Sequence, residues 1–549
     1  MPKRPIQKVG KKDKFRFRQL DSIGVAAAEE DFDFLAQCFV DTGHLRVLSD
    51  CSDPRSIVVG RTGSGKTALL KRLSATEERV IDIRPESLAL SYISNSTILN
   101  FFDNLGVKLD IFFKLLWRHV FTVELIKLHF HILDGSPKNT FIQQIRSLFL
   151  DDKEKKALQY LENWGSKFWQ ETEYRIKEVT EKLEEDLKTS VRALFPSIQF
   201  DVGATDKHIA TAKGQIIKRA QRVVNAVQIR QLSDIIDLTD KVLSDRQKHY
   251  FIVLDNLDEN WIEDRLRYRL IRALIETVKD FRRIRNAKIV IALRIDLIEK
   301  VFQVTRDTGF QEEKYESLYL PISWTENTLE QMLNLRINHL IRRRYTKQSV
   351  THRDLLPTQI DGQPSLRYLL RRTMMRPRDV IMFFNCCIAK AVNRPRISVQ
   401  IIRDAEGLYS KNRLRSLADE WVSDYPHLLY FTRLIKSRKA TFLADDIKRE
   451  IIEEVCIGFC IDHPSTENGD PFSKAATRLV DALVDIEYVR NTILQGYYRA
   501  GLIGLKLESF ETAQWSTLDS RTVSKSQISH GVKVLVHPML WRALGIDSR

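Results

Sequence analysis

A chain of 549 residues exceeds one compact core, so several structural units are expected. Apolar residues at 43% and charged residues at 29% make an ordinary globular composition, which excludes a fibrous or low-complexity chain. The net charge of +15 fits either a polyanionic partner or a well-solvated basic surface, and six cysteines in a chain this long exclude a disulfide framework.

Residues 1–20 carry eight Lys or Arg against one Asp, with no apolar signal core, which predicts a mobile basic arm on a cytoplasmic protein. Segment 31–48 reads as a helix leading into a first strand at 56–59, which ends at Gly60. A helix at 66–73 and a second strand at 80–83 follow. The apolar region 98–133 is interrupted by seven charged residues: Asp103, Lys108, Asp110, Lys114, Arg118, Glu124 and Lys127. It therefore reads as a core helix, not a membrane span. Ile176, Val179, Leu183 and Leu187 have helical spacing, and 216–243 is helical up to a third strand at 250–254. Further strands are expected at 288–293 and 318–322. Short apolar runs separated by helices predict a buried parallel sheet, here carrying a helical insertion at about 95–215.

Helices are expected at 329–341 and 366–391. Near the end, a helix at 486–500 stops at Gly501, and two alternating strands joined by a polar loop follow, the pattern of a winged helix. The expected fold class is α/β: a parallel-sheet P-loop core at 21–330, a helical lid at 331–435 and a winged-helix-like domain at 436–549. Cys456, Cys460 and His463 lie close together but lack a second ligand pair, and read as core residues.

Gly60-Arg61-Thr62-Gly63-Ser64-Gly65-Lys66-Thr67 fits the phosphate-binding pattern G-x-x-x-x-G-K-[ST], between a strand and a helix. The glycines permit a tight loop whose N–H groups face phosphate oxygens, and the following helix adds its N-terminal dipole. Lys66 is expected on the β- and γ-phosphates, and Thr67 on magnesium. Asp255, at the end of the third strand, is the expected second magnesium contact, through water. Asp258 is the first choice for activating the attacking water and Glu259 the second, with a helix N-cap as the alternative for Asp258. Arg294, ending the fourth strand, is placed to sense the γ-phosphate, or else to pair with Asp296. The expected ligands are ATP and Mg²⁺, with GTP open, and the expected activity is phosphoanhydride hydrolysis.

Asp255-Asn256-Leu257-Asp258-Glu259 resembles the D-x-L-D-E signature of NACHT and KAP ATPases, which belong with AAA+ and STAND proteins to the additional-strand class. AAA+ proteins usually place Glu directly after the magnesium aspartate, and Asn256 stands there, which favours Asp258 as the STAND-like base. Arg376-Pro377-Arg378-Asp379 resembles the sensor-2 position of origin-recognition ATPases, implying that Arg376 and Arg378 contact the nucleotide. The closing His537-Pro538-Met539-Leu540-Trp541-Arg542-Ala543-Leu544-Gly545, with Trp324, resembles bacterial stand-alone P-loop ATPases of mobile and phage-defence loci. The resemblance implies a switch or assembly ATPase regulating a separate effector protein. It also implies a homo-oligomer whose site is completed by a neighbour's arginine, with Arg265, Arg267, Arg269 and Arg272 as candidates. The alternatives are a nucleic-acid-remodelling or loading ATPase and a nucleotide-bound scaffold without turnover.

Nucleic acid stays open as a partner. Asn491 and Gln495 share a face of the 486–500 helix, while basic density is greater at Arg282-Arg283-Arg285, Arg342-Arg343-Arg344 and Arg367-Arg371-Arg372. Packing of that helix against the ATPase is the competing expectation.

Overall fold

The structure is a computed structural model, and it describes residues 15–85, 110–132, 151–164, 229–259, 264–306, 313–344, 349–464, 470–507, 512, 514–516, 527–528 and 531–547. The expected helix through Ile176, Val179, Leu183 and Leu187, and residues 1–14 of the basic arm, lie outside the described residues. Contacts divide the chain into two units: Asp41–Arg61 with Lys66–Ile322, and Met1–Val40 with Thr62–Gly65 and Ser323–Arg549.

The first unit is built on five parallel strands: β1 (Ile57–Gly60), β2 (Val80–Ile83), β3 (Tyr250–Leu254), β4 (Ala287–Arg294) and β5 (Tyr319–Pro321). β3 is apolar and buried throughout, as a strand covered on both faces must be. The order is β2-β3-β4-β1-β5, so β4 separates the strand that enters the phosphate loop from the strand that precedes Asp255. This is an α/β P-loop core. The register sets Gly60 beside Arg294 and Leu254 beside Ile291, which brings the functional residues to one carboxyl edge.

Helix Asp110–His129 is not an appendage. Trp117 donates from Nε1 to the Leu270 carbonyl at 3.0 Å, and Phe113, Leu116 and Phe121 share one apolar core with β3 and helix Asp264–Phe281. Within the expected insertion at 95–215, this helix thus covers the sheet. The expected helix at 31–48 is two short helices, Phe32–Gln37 and His44–Ser49. Gly43 breaks it with φ of +83°, and its N–H donates to Asp41.

The second unit gathers helices Glu326–Arg344, Pro377–Lys390 and Val399–Glu420 with the C-terminal residues around one continuous core. The expected lid (331–435) and C-terminal domain (436–549) share this apolar packing. Residues 15–40 also belong here. Phe17 is fully buried and exchanges backbone hydrogen bonds with Arg394 and Asn393, so this part of the basic arm is anchored. The expected helix at 366–391 is split into Ser365–Leu370 and Pro377–Lys390, because Met375 adopts φ of +50° and Pro377 lacks an N–H.

Helix Ile486–Ala500 is capped by Asp485, which accepts from the Tyr488 N–H, and it ends at Gly501 with φ of +82°. It leads into an antiparallel sheet of β6 (Thr441–Leu443), β7 (Ile503–Lys506) and β8 (Lys533–Val536), ordered β6-β8-β7. Among the described residues, no helix is long and apolar enough to cross a membrane.

Candidate phosphate site

Lys66 opens helix Lys66–Thr76, and its ammonium donates to the carbonyls of Gly60 (3.1 Å) and Arg61 (3.3 Å). Burial lowers its pKa, and the carboxylates of Asp258 and Asp255 oppose that shift. Thr67, the next residue, hydrogen-bonds with its side chain to Asp255, the residue after β3. Burial raises the Asp255 pKa, and the Thr67 hydroxyl and the Asn256 N–H, 2.9 Å from Oδ1, work against it. A hydroxyl and a carboxylate brought together form a hard oxygen set of the kind magnesium selects, completed by water.

Asn256 has φ of +59°, in the left-handed region that Asn tolerates better than Glu. The turn geometry is a local reason for Asn at this position. Asp258 follows in the same turn with its carboxylate 3.7 Å from Arg294 Nη1. Among the described residues the next helix starts at Asp264, and no helix follows Asp258 directly. Arg294 also forks onto Asp296, through Nε at 3.1 Å and Nη2 at 2.6 Å, so the ion pair with Asp296 weighed as its alternative role is present. Glu259 is exposed, and its carbonyl accepts from Arg267.

Residues Thr62–Gly65 make their contacts with the second unit's own residues. Gly63 and Gly65 have φ of +76° and +98°. Arg376 Nη1 donates to the Thr62 carbonyl at 2.6 Å, the Arg378 N–H to the Gly63 carbonyl at 3.4 Å, and Trp324 Nε1 to the Ser64 carbonyl at 2.7 Å. Among the described residues, the hydroxyls of Thr62 and Ser64 are buried without a hydrogen-bond partner, as donors reserved for a ligand's oxygens would be. With the two hydroxyls and the positive-φ glycines, the loop fits a polyphosphate.

Arg376 is buried and fully engaged. Nε meets Asp379 at 3.1 Å, Nη1 lies 3.5 Å from Glu420, and Nη2 contacts the Met374 sulfur. Burial works against its charge, but Asp379 and Glu420 outweigh burial and raise its pKa. Arg413 completes the cluster at 3.2 Å from Asp379. Arg378 packs against Gly63, and its Nε lies 3.4 Å from the Ala26 carbonyl. Arg413 and Glu420 carried no sequence signal, because only the fold brings helix Val399–Glu420 to Asp379. Trp324 had entered through resemblance alone.

Two of the candidate neighbour-reaching arginines are held within their own chain. Arg267 is buried against Asp264 at 2.7 Å, and Arg272 pairs with Glu276 and the Thr305 carbonyl. Arg269 is half-buried, and the Arg265 side chain lies outside the described residues. Of the basic clusters, Arg372 is buried on Glu406 at 2.8 Å and stacks over Tyr368, so it leaves any nucleic-acid track. Asn491 is also buried, which removes it from a base-reading face.

The fold and the loop together are those of an α/β P-loop protein. Residues 327–418, which hold Arg376 and Arg378, match the FunZ-associated C-terminal helical domain. Over 544 residues the chain is 22% identical to an 80.3 kDa protein ascribed to transposon gamma-delta of Escherichia coli (strain K12), covering 95% of this chain and 67% of that one. Similar solved structures include the Orc1 protein of Aeropyrum pernix in complex with DNA (12% identity, 91% and 90% covered, TM-score 0.33). They also include a Walker-type ATPase of Pyrococcus abyssi (10% identity, 89% and 95% covered, TM-score 0.34). A third is Cdc6p of Pyrobaculum aerophilum (11% identity, 92% and 94% covered, TM-score 0.27).

Proposed function

We propose that this protein is a magnesium-dependent ATPase that works as a cytoplasmic switch. The observation that carries this reading is the bond between Thr67 and the half-buried Asp255, next to Lys66 on the phosphate loop. Thr67 and, through water, Asp255 would hold the magnesium, which when bound would supply charge neutralisation at the phosphoryl oxygens. Lys66 turns from the Gly60 and Arg61 carbonyls to the β- and γ-phosphates. Asp258 orients and deprotonates the attacking water, and Arg294, 3.7 Å away, holds that carboxylate and reports the γ-phosphate.

The relative ascribed to a transposon and the closing 537–545 motif support a setting in mobile or phage-defence loci, with ATP state controlling a separate effector. The net charge of +15 favours a second reading, a nucleic-acid-loading ATPase, which stimulation of turnover by DNA would select.

Phosphate release by the wild type, Lys66→Ala and Asp258→Asn tests the assignment. Lys66→Ala is expected to lower kcat by on the order of 10²–10³-fold. Asp258→Asn is expected to bind ATP and magnesium but not cleave. Wild-type turnover by Lys66→Ala overturns the site.

A further inference from the structure

Three consecutive carbonyls of the phosphate loop are each met by a donor from residues 324–378. Thr62 accepts from the Arg376 guanidinium, Gly63 from the Arg378 N–H and Ser64 from the Trp324 indole. In a trans peptide the C=O and the following N–H point in opposite directions, and the described residues contain no cis peptide. Fixing these three carbonyls therefore fixes the N–H groups of Gly63, Ser64 and Gly65 on the opposite side of the loop, where successive N–H groups form an anion nest.

We infer that Trp324, Arg376 and the Arg378 backbone N–H hold the phosphate loop in its anion-binding shape by its carbonyls, with Trp324 and Arg376 acting as positioning residues that do not touch the nucleotide. The inference rests on the loop being the triphosphate site. The three nitrogens of Arg376 are already committed to Thr62, Asp379, Glu420 and Met374, so reaching a phosphate would break those contacts. Asp379 in turn accepts from Arg376 and the Met374 N–H and pairs with Arg413, which anchors the guanidinium to helix Val399–Glu420. The approach is close. A Cβ on Gly63 would stand 2.7 Å from Arg378 Cβ, so Gly63 is required by its neighbour as well as by its φ. Gly65 faces Trp324 at an ordinary 3.7 Å, so its φ of +98° is the constraint there. The cation on Thr62 also polarises that peptide and strengthens the Gly63 N–H as a donor.

The reciprocal consequence is that phosphate binding tightens the grip of residues 324–378 on the loop, since coupling between two equilibria acts equally in both directions. This links nucleotide state to the helical unit without Arg376 reaching the γ-phosphate.

Trp324→Phe keeps a ring and removes the N–H. Affinities for ADP and for a non-hydrolysable ATP analogue are to be measured by calorimetry on the full chain. Both are expected to weaken by about 2- to 10-fold and by the same factor, because one hydrogen bond to the nest's backbone is lost and the nest serves phosphates common to both. kcat at saturation should hold while KM rises, the mark of uniform binding loss. A residue contacting the γ-phosphate would weaken the ATP analogue alone. Equal affinities in wild type and Trp324→Phe overturn the inference and leave the ATPase reading standing. Absence of nucleotide binding by the wild type overturns both. Hydrogen exchange on the unmodified protein gives an independent reading, because the Arg378 amide itself makes one of the three bonds. ADP is expected to slow exchange at Arg378 together with Gly63–Gly65. Slowing at the loop with Arg378 unchanged overturns the inference.

Discussion

At the scale of single residues, Asp255 is a carboxylate whose burial raises its pKa while Thr67 and Asn256 donate to it. An unfolded Asp titrates near its ordinary value of about 3.9. The folded protein therefore binds more protons than the unfolded chain between that value and the raised one, and this group's contribution to stability falls as pH rises through the window. Magnesium reverses the balance, because it binds the ionised form and displaces the proton. Magnesium affinity in the presence of ATP should weaken as pH falls through the raised Asp255 pKa, and Asp255→Asn should bind magnesium weakly with that pH dependence gone. Calorimetric titrations at several pH values check this, and identical profiles for the two proteins would remove Asp255 from the metal site. The phosphate loop and Asp255 were legible in the sequence because their chemistry is local: a fixed spacing after one strand and an acid after another. The Asp379–Arg413–Glu420 cluster was not, because its members meet only through the packing of two helices.

At the scale of elements, the helix Ile486–Ala500 was open to two roles, packing and DNA contact, and burial of its side chains favours packing. Arg490, one of its few cations, is buried and pairs with Asp445 at 2.6 Å, and Asp445 also accepts the Gly531 N–H before β8. Asn491, Ile493, Leu494, Tyr497 and Tyr498 are buried too, so this helix packs on several sides. Arg490→Ala leaves the Asp445 carboxylate short of its partner and should cost about 1–3 kcal/mol of stability, read from urea unfolding, with DNA affinity unchanged. Unaltered stability together with lost DNA binding would restore the helix to a reading role. Strands β1 to β5 were visible as apolar runs, while β6 was not, since a three-residue strand with one buried side chain has no period to detect. The breaks at Gly43 and Met375 escaped for a related reason: a positive φ interrupts a helix without altering the apolar spacing on either side.

At the scale of the whole molecule, nucleotide is expected to control self-association. A net charge of +15 makes identical copies repel. Screening at physiological salt confines that repulsion to about 8 Å, so a short-range contact can still decide the equilibrium. The contact must differ between ATP and ADP, because a ligand shifts an equilibrium only by its differential free energy for the two states. Arg267 and Arg272 pair with Asp264 and Glu276 of their own chain, so a group offered to a neighbour is expected elsewhere, and the half-buried Arg269 is one position to test. Coupling of about 1–3 kcal/mol per site corresponds to roughly a 5- to 150-fold population shift. Such a shift is large enough to register as mass by light scattering of Asp258→Asn with ATP and with ADP. DNA should favour assembly further by neutralising the repulsion, and that gain should shrink as salt rises, because phosphate contacts release counterions. An Arg269→Ala change made in the Asp258→Asn background that keeps ATP binding but abolishes the mass increase would place Arg269 at the neighbour's site. A mass that is the same with ATP, with ADP and with DNA would overturn the switch and favour a scaffold that holds nucleotide without responding to it.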